Sequence, residues 1–448
     1  MPGPAFLRRK QPDPAGADAP SRDDSARAGL IGNITALGFL QISAYVLPLA
    51  IAAYTTRVLG LEDWGHVAMT QLVLGFFCLF VSWGFSWSAT RKIAAIGDDP
   101  VEVSKVAIAT ILGQVLLAGA MGLVLLALIA TVPFFRDAAP FYFWGLLVIA
   151  GTALFPNWLL TGLERMRAFS AIQIGGRILT LVFIVLFVHS PADAPLIIAI
   201  QGAVSLIAGS VSVWLLHHDG ILMWRRPTLH DIYVEVKEGS TIFLSTTAIG
   251  VYVNLTPVIL GFLAGPVAVG QFALADRIRQ AAQSVLQPVS TALFPRISRL
   301  VASDPSAAAP LLKISGIGLV VISAGISAAL WLFAPHFVTI IGGKQFAPAA
   351  DVLRWLSLLP IVMSFSTFLG LQILLPNKRT KPFNIILISG GVLSLILIAP
   401  LTRAFGAEGA AITLLLVEGF VSLCMVVYVL KTGYFKGHWH AGLTTASA

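Results

Sequence analysis

Twelve apolar stretches run in series along the 448-residue chain, and the second six echo the first six. They fall near 30–55, 66–89, 106–132, 140–162, 168–188, 195–216, 240–264, 267–294, 311–333, 351–375, 383–401 and 408–430. Each is about 20 residues long, enough for a helix rising about 1.5 Å per residue to cross a hydrocarbon layer of about 30 Å. The pattern predicts an all-α polytopic membrane protein of about twelve transmembrane helices.

Two fixed offsets expose the echo. At 205, Gly65 matches Gly270, Arg91 matches Arg296, and Asp99-Pro100 matches Asp304-Pro305. At 214, the segment from Phe169 through Arg177 to Leu181 aligns with that from Phe383 through Gly391 to Leu395. Upstream, Val58-Leu59-Gly60 resembles Ile259-Leu260-Gly261. Collinear matches at fixed spacing indicate duplication. Six spans per half keep both halves in the same orientation. The expected architecture is two six-helix lobes, 28–217 and 240–431, related by a pseudo-twofold axis along the membrane normal, with a cavity between them.

Composition agrees. The chain is 57% hydrophobic and 11% charged, against about 25% charged in soluble domains. Its mean hydropathy is +0.87. Of the 29 Lys and Arg, 21 fall in one set of connections and tails, 5 in the other and 3 inside spans. The positive-inside rule therefore places both termini in the cytoplasm. The net charge of +8 is mostly this topology signal, so nucleic acid is not an expected partner; the lipid bilayer is. Residues 1–27, rich in Pro, Ala and charge, read as a disordered cytoplasmic tail. Residues 218–239 read as a cytoplasmic linker and 432–448 as a second cytoplasmic tail.

Polar groups inside a bilayer face partners or water. In the eighth span, Asp276, Gln280, Gln283, Gln287 and Ser290 recur at i, i+4, i+7, i+11 and i+14, one helical face. Arg277 and Arg279 flank it, although Asp276 and Arg279 could simply pair with each other. The first span carries Asn33, Gln41, Tyr45 and Pro48 and ends at Arg57. Arg177 lies midway in the fifth span and Glu418 midway in the twelfth. Glu418 and Asp276 are candidates for ion coupling. Pro48, Pro257 and Pro288 lack the N–H that continues a helix and are candidate gating kinks. No phosphate-binding loop, His-Glu-x-x-His or Cys-x-x-Cys occurs, and no cofactor or metal is expected.

Tyr54-Thr-Thr-Arg-Val-Leu-Gly60 with Glu62-Asp-Trp-Gly65 resembles the Wzx-type polysaccharide flippases. Ser88–Ala94, Pro156–Arg167, Gly270–Ile278 and Leu293–Ser298 fit the same resemblance in the same order. Thr161-Gly162 stands where many members of that family have Gln-Gly. The resemblance implies a MATE-like fold and an undecaprenyl-diphosphate-linked oligosaccharide as substrate. It implies the bacterial inner membrane as its location and polysaccharide polymerase machinery as a partner. Arg57, Arg277, Arg279 and Arg177 are then the candidates for the diphosphate, since guanidinium stays charged and donates bidentate bonds. The amides of the eighth span would serve sugar hydroxyls. Three readings compete: a peptidoglycan lipid-precursor flippase, a cation-coupled drug exporter, and a membrane-embedded polymerase or glycosyltransferase. The last would need a positioned carboxylate and a sizeable catalytic loop, and the longest polar connection, 217–239, is too short to be one.

Overall fold

The computed structural model describes residues 22–97, 99–224, 226–286, 293, 296–301, 305–377 and 379–432. Side chains are described from Ser43 onward, except at 241–242, 244–254 and 305–307. The described residues are helical, with no strand among them.

In the first half, α1 (Arg22–Ser82) is followed by α2 (Phe85–Ile96), α3 (Pro100–Thr131) and the short α4 (Pro133–Asp137). Next come α5 (Ala139–Leu154), α6 (Asn157–Gly162), α7 (Met166–Phe187) and α8 (Ala194–His218). The second half opens with α9 (Leu229–Gln283), then α10 (Pro305–Leu332), α11 (Ala334–Gly342), α12 (Ala349–Leu356) and α13 (Leu359–Thr367). A π-helical turn, Phe368–Leu374, leads to α14 (Thr380–Lys431). α1 starts at Arg22, inside the stretch expected to be a tail.

Among the described residues, nine helical runs are long and apolar enough to span a membrane. Nine replace the expected twelve because α1, α9 and α14 each run through a sharp break at a glycine: Gly60, Gly265 and Gly406. Each run thus carries two of the expected spans as its two legs. Apolar side chains cover the outside, as at Leu123 and Ile314, both 70% exposed; a bilayer solvates such a surface, whereas water would not. The largest buried cluster draws on both halves, from Trp64 and Tyr142 to Phe272 and Leu353. A smaller one lies in each half, around Trp158 and around Ile373.

The breaks in α1 and α9 are twins. Gly60 has φ 81° and ψ −175°, and Gly265 has φ 79° and ψ 179°. They stand 205 residues apart, the repeat offset. The sequence alignment had set Gly60 against Gly261; the structure moves its mate to Gly265. A Cβ is excluded from this backbone region, which glycine adopts freely. Pro48 and Pro257, two of the candidate kink prolines, are not where the chain turns but lie within the legs of α1 and α9; Pro288 lies outside the described residues. Pro305 opens α10 as Pro100 opens α3, where Asp99 accepts the N–H of Val101 at 2.9 Å.

Just beyond the breaks, the two halves touch backbone to backbone. A Cβ on Gly65 would lie 2.1 Å from the Pro266 carbonyl oxygen, and one on Gly270 would lie 3.0 Å from that of Leu61. Leu61 and Pro266 are again 205 apart, so the contact is reciprocal, as twofold-related elements make it. Trp64 Nε1 donates across it to the Gly270 carbonyl at 3.3 Å. α9 also packs on α14, and α5 packs on α8.

Gly65→Ala should destabilise the protein by about 1–3 kcal/mol through overpacking against fixed backbone. Gly75→Ala, with open space around the new methyl, should leave stability unchanged or slightly raised. Thermal unfolding of both variants in one detergent checks this; equal midpoints would refute the contact's importance.

Candidate functional site

The second leg of α9 carries most of the polar residues singled out in the sequence, and the structure divides them. Arg279 and Arg277, two positions apart, point roughly 200° from each other at 100° per residue, so they cannot share a face. They flank the stripe from Asp276 to Gln283 on opposite sides.

Arg279 turns into the second half. Its Nε lies 2.8 Å and its Nη2 2.6 Å from Asp276 Oδ1. Its Nη1 donates to Gln283 Oε1. Gln280 Nε2 donates to the other Asp276 oxygen at 2.6 Å, and Gln283 Nε2 reaches Met363 Sδ on α13 at 3.4 Å. Glu418 on α14 interacts electrostatically with Arg279 and lies beside Ser366 of α13. The arginine is 9% exposed. This cluster ties three helices together, with both candidate coupling carboxylates around one guanidinium.

Arg277 turns toward the first half. Its Nη2 donates to Gln71 Oε1 at 2.6 Å, and its guanidinium sits 4.6 Å from the centre of the Trp64 ring. Gln71 in turn donates to Gln201 Oε1 on α8 at 3.1 Å. Because the Gln71 amide N–H faces Gln201, its oxygen is directed at Arg277. Three elements therefore hold one cation with neutral groups: an amide oxygen and a π face.

The other two arginines stand apart. Arg177 Nη1 donates to Ser43 Oγ at 3.1 Å, joining α7 to α1. Arg57 is exposed and donates to the Ile340 carbonyl at the end of α11. Beside it, Thr56 Oγ1 donates to the Ile341 carbonyl at 3.1 Å, and Gln345 Nε2 donates to the Thr56 carbonyl at 2.8 Å. The four arginines thus have separate partners: Arg177 and Arg277 each bond to α1, at Ser43 and at Gln71, Arg57 bonds to α11, and Arg279 bonds within α9. The side chains of Asn33 and Gln41 lie outside the described residues, as do Gln287 and Ser290. An apolar cavity of about 390 Å³ lies between α5, α8 and the connection after α8, lined by Leu154, Val213, Trp214, His217, Leu222 and Trp224 among others. It contains none of the polar residues expected to line a substrate path.

Trp64, Gln71, Gln201, Ser366 and Met363 complete the two clusters and were not among the sequence candidates. Gln71 carried one signal: it is the repeat mate of Asp276. The others are set by packing between distant helices.

The family model for polysaccharide biosynthesis proteins matches residues 30–301. A protein of Escherichia coli (strain K12) named "Putative O-antigen transporter" is 33% identical over 397 residues, covering 89% of this chain and 96% of its own length. A Shigella dysenteriae protein of the same name is 31% identical over 402 residues, covering 89% and 98%. Among solved structures, the inward-facing conformation of a multidrug resistance MATE family transporter of the MOP superfamily superposes with a TM-score of 0.65 at 15% identity, covering 93% of this chain and all of that one. The inward closed conformation of lipid II flippase MurJ gives a TM-score of 0.68 at 13% identity, covering 89% and 87%. These two likenesses concern the fold alone.

Arg279→Leu should cost about 3–5 kcal/mol, because it leaves the Asp276 carboxylate without its charge partner in a site where the two side chains are only 11% and 19% exposed. Adding Asp276→Leu should recover most of that loss. The exposed Arg354–Asp351 pair should yield no more than about 1 kcal/mol in the same double-mutant cycle. Similar coupling energies for the two pairs would contradict the burial argument.

Proposed function

Because this chain belongs to the polysaccharide biosynthesis protein family, we propose that it is a flippase for undecaprenyl-diphosphate-linked oligosaccharide repeat units. It moves them by alternating access from the cytoplasmic to the periplasmic leaflet of the bacterial inner membrane, for cell-surface or exopolysaccharide assembly. The observation that carries this reading is Arg277, a cation at the seam between the halves whose first-half partners, Gln71 and Trp64, are both neutral. A diphosphate crossing a low-dielectric layer needs such a cation, and the neighbouring amides of α9 suit sugar hydroxyls.

In this reading the halves, 28–217 and 240–431, act as two lobes joined by the 218–239 linker, with both termini cytoplasmic by the excess of Lys and Arg on that side. The breaks at Gly60 and Gly265 then lie at the periplasmic end, and Thr56, Arg57 and Gln345 tie that end shut. Pro48 and Pro257 weaken the long legs that would bend as the lobes part. In the same reading Asp276, paired with Arg279, and Glu418, which feels its charge, exchange a proton or cation as substrate is released. The O-antigen transporter names of the relatives support the substrate class.

Cells carrying Arg277→Ala or Arg279→Ala at normal protein levels should lose at least about tenfold in surface glycan export. Wild-type export in both would sink the assignment. In proteoliposomes loaded with lipid-linked oligosaccharide, Glu418→Gln should remove the dependence of translocation on a pH gradient; an unchanged dependence would exclude Glu418 from coupling.

A further inference from the structure

The seam between α1–α2 and α9 is closed at its glycine end by backbone contact; at its other end opposite charges close it. Lys92 near the end of α2 and Lys105 on α3 stand on the first-half side. On α9, Asp231, Glu235 and Glu238 recur at i, i+4 and i+7, forming one acidic stripe. Lys92 Nζ lies 2.5 Å from Glu235 and 3.6 Å from Glu238, and Lys105 Nζ lies 3.6 Å from Asp231. The Glu235 side chain is only 6% exposed. Thr228 caps the stripe through a 2.7 Å hydrogen bond from its hydroxyl to Asp231. Trp83 holds the two sides together: its Nε1 donates to the Val236 carbonyl at 2.9 Å and its ring stacks on Phe243 at 4.4 Å. It does so at φ 42°, a conformation rare for a bulky residue.

We propose that Lys92 and Lys105 form a receiving site for a diphosphate, their ammonium groups held in this conformation by the acidic stripe of α9. The carboxylates that hold the two ammonium groups lie one helical turn apart, about 5.4 Å, a spacing across which one diphosphate addresses both. Carboxylate and phosphoryl oxygens are alike in what a lysine recognises: charged acceptors taking a charge-assisted hydrogen bond. When the seam opens, the stripe leaves with α9 and both lysines lose their carboxylates together. An anion that binds them then holds the seam open, and without one the seam recloses on its own carboxylates. The stripe thus makes opening conditional on cargo. Only the identity of the carrier lipid rests on the flippase reading; the site itself requires only the anion.

The test uses the full-length protein in detergent, with calorimetric binding of farnesyl diphosphate, inorganic pyrophosphate and phosphatidylglycerol. Glu235→Gln/Glu238→Gln should bind farnesyl diphosphate at least about tenfold more tightly than wild type, with a parallel gain for pyrophosphate. Adding Lys92→Gln and Lys105→Gln should abolish the gain. If the double variant is not monodisperse, Asp231→Asn, at the opposite end of the stripe from Glu238, should still give a gain of about threefold. No gain in either variant, or a gain that survives loss of both lysines, overturns the proposal. An equal gain for phosphatidylglycerol also overturns it, assigning the lysines to the bilayer surface. Wild-type protein that fails to translocate lipid-linked oligosaccharide, while the unmasked variant still binds diphosphate, would remove the flippase reading and leave the site standing.

Discussion

The close approach of Gly65 and Gly270 is the constraint on which the seam depends. With 3.2 Å between a Cβ built on Gly270 and the Gly65 Cα, only hydrogen fits between the two backbones. Everything along the seam follows from that separation. Trp64 can reach the Gly270 carbonyl, Gly261 can accept the Met69 side chain, and Gln71 meets Arg277. A single added methyl would shift all of these together, because they lie along the same two helices, α1 and α9, on either side of the contact. The bilayer makes the constraint stricter: a parted seam inside hydrocarbon would expose polar groups that have no water to turn to.

The same physics explains what was legible in the sequence. Bilayer thickness forces long apolar runs, and duplication leaves fixed offsets, so the helical spans and the repeat could be read directly. The paired breaks at Gly60 and Gly265 were less legible, because proline is the usual sign of a bend and membrane helices tolerate proline inside a leg. A positive φ has no such tolerance, and glycine marked the turns. The stripe from Asp276 to Gln283 was read correctly as one face, while the separation of Arg277 from Arg279 was available from helical spacing alone.

Partners contributed by distant helices could not be read. Gln201 and Trp64 carry no local pattern that points to Arg277. Lys92 is one of the lysines behind the topology signal, yet Lys92 and Glu235 pair across 143 residues of sequence. Charges near span ends satisfy the positive-inside rule wherever they point, so that rule cannot tell a solvated lysine from one that closes a seam. Only the packing of α9 against α2 and α3 separates the two.

Arg277 and Arg279 are two answers to one problem, a guanidinium removed from water. Arg279 takes a carboxylate, Asp276, with Glu418 nearby. Its charge is compensated inside the second half, and removing it costs the energy of a broken buried pair. Arg277 takes an amide oxygen and an indole face from the other half. Those partners satisfy its hydrogen bonds and orient it, but they bring no negative charge. Asp276 acts on Arg277 electrostatically, but its oxygens are bonded to Arg279 and Gln280, so an anion reaching Arg277 displaces a neutral amide rather than a bonded carboxylate. Lobe separation would also strip Arg277 of Gln71 and Trp64, since both belong to the first half, while Arg279 would keep its partner. The two arginines therefore differ in what a parting of the seam does to them under the proposed flippase reading: Arg279 keeps its partner within α9, and Arg277 exchanges Gln71 and Trp64 for an anion.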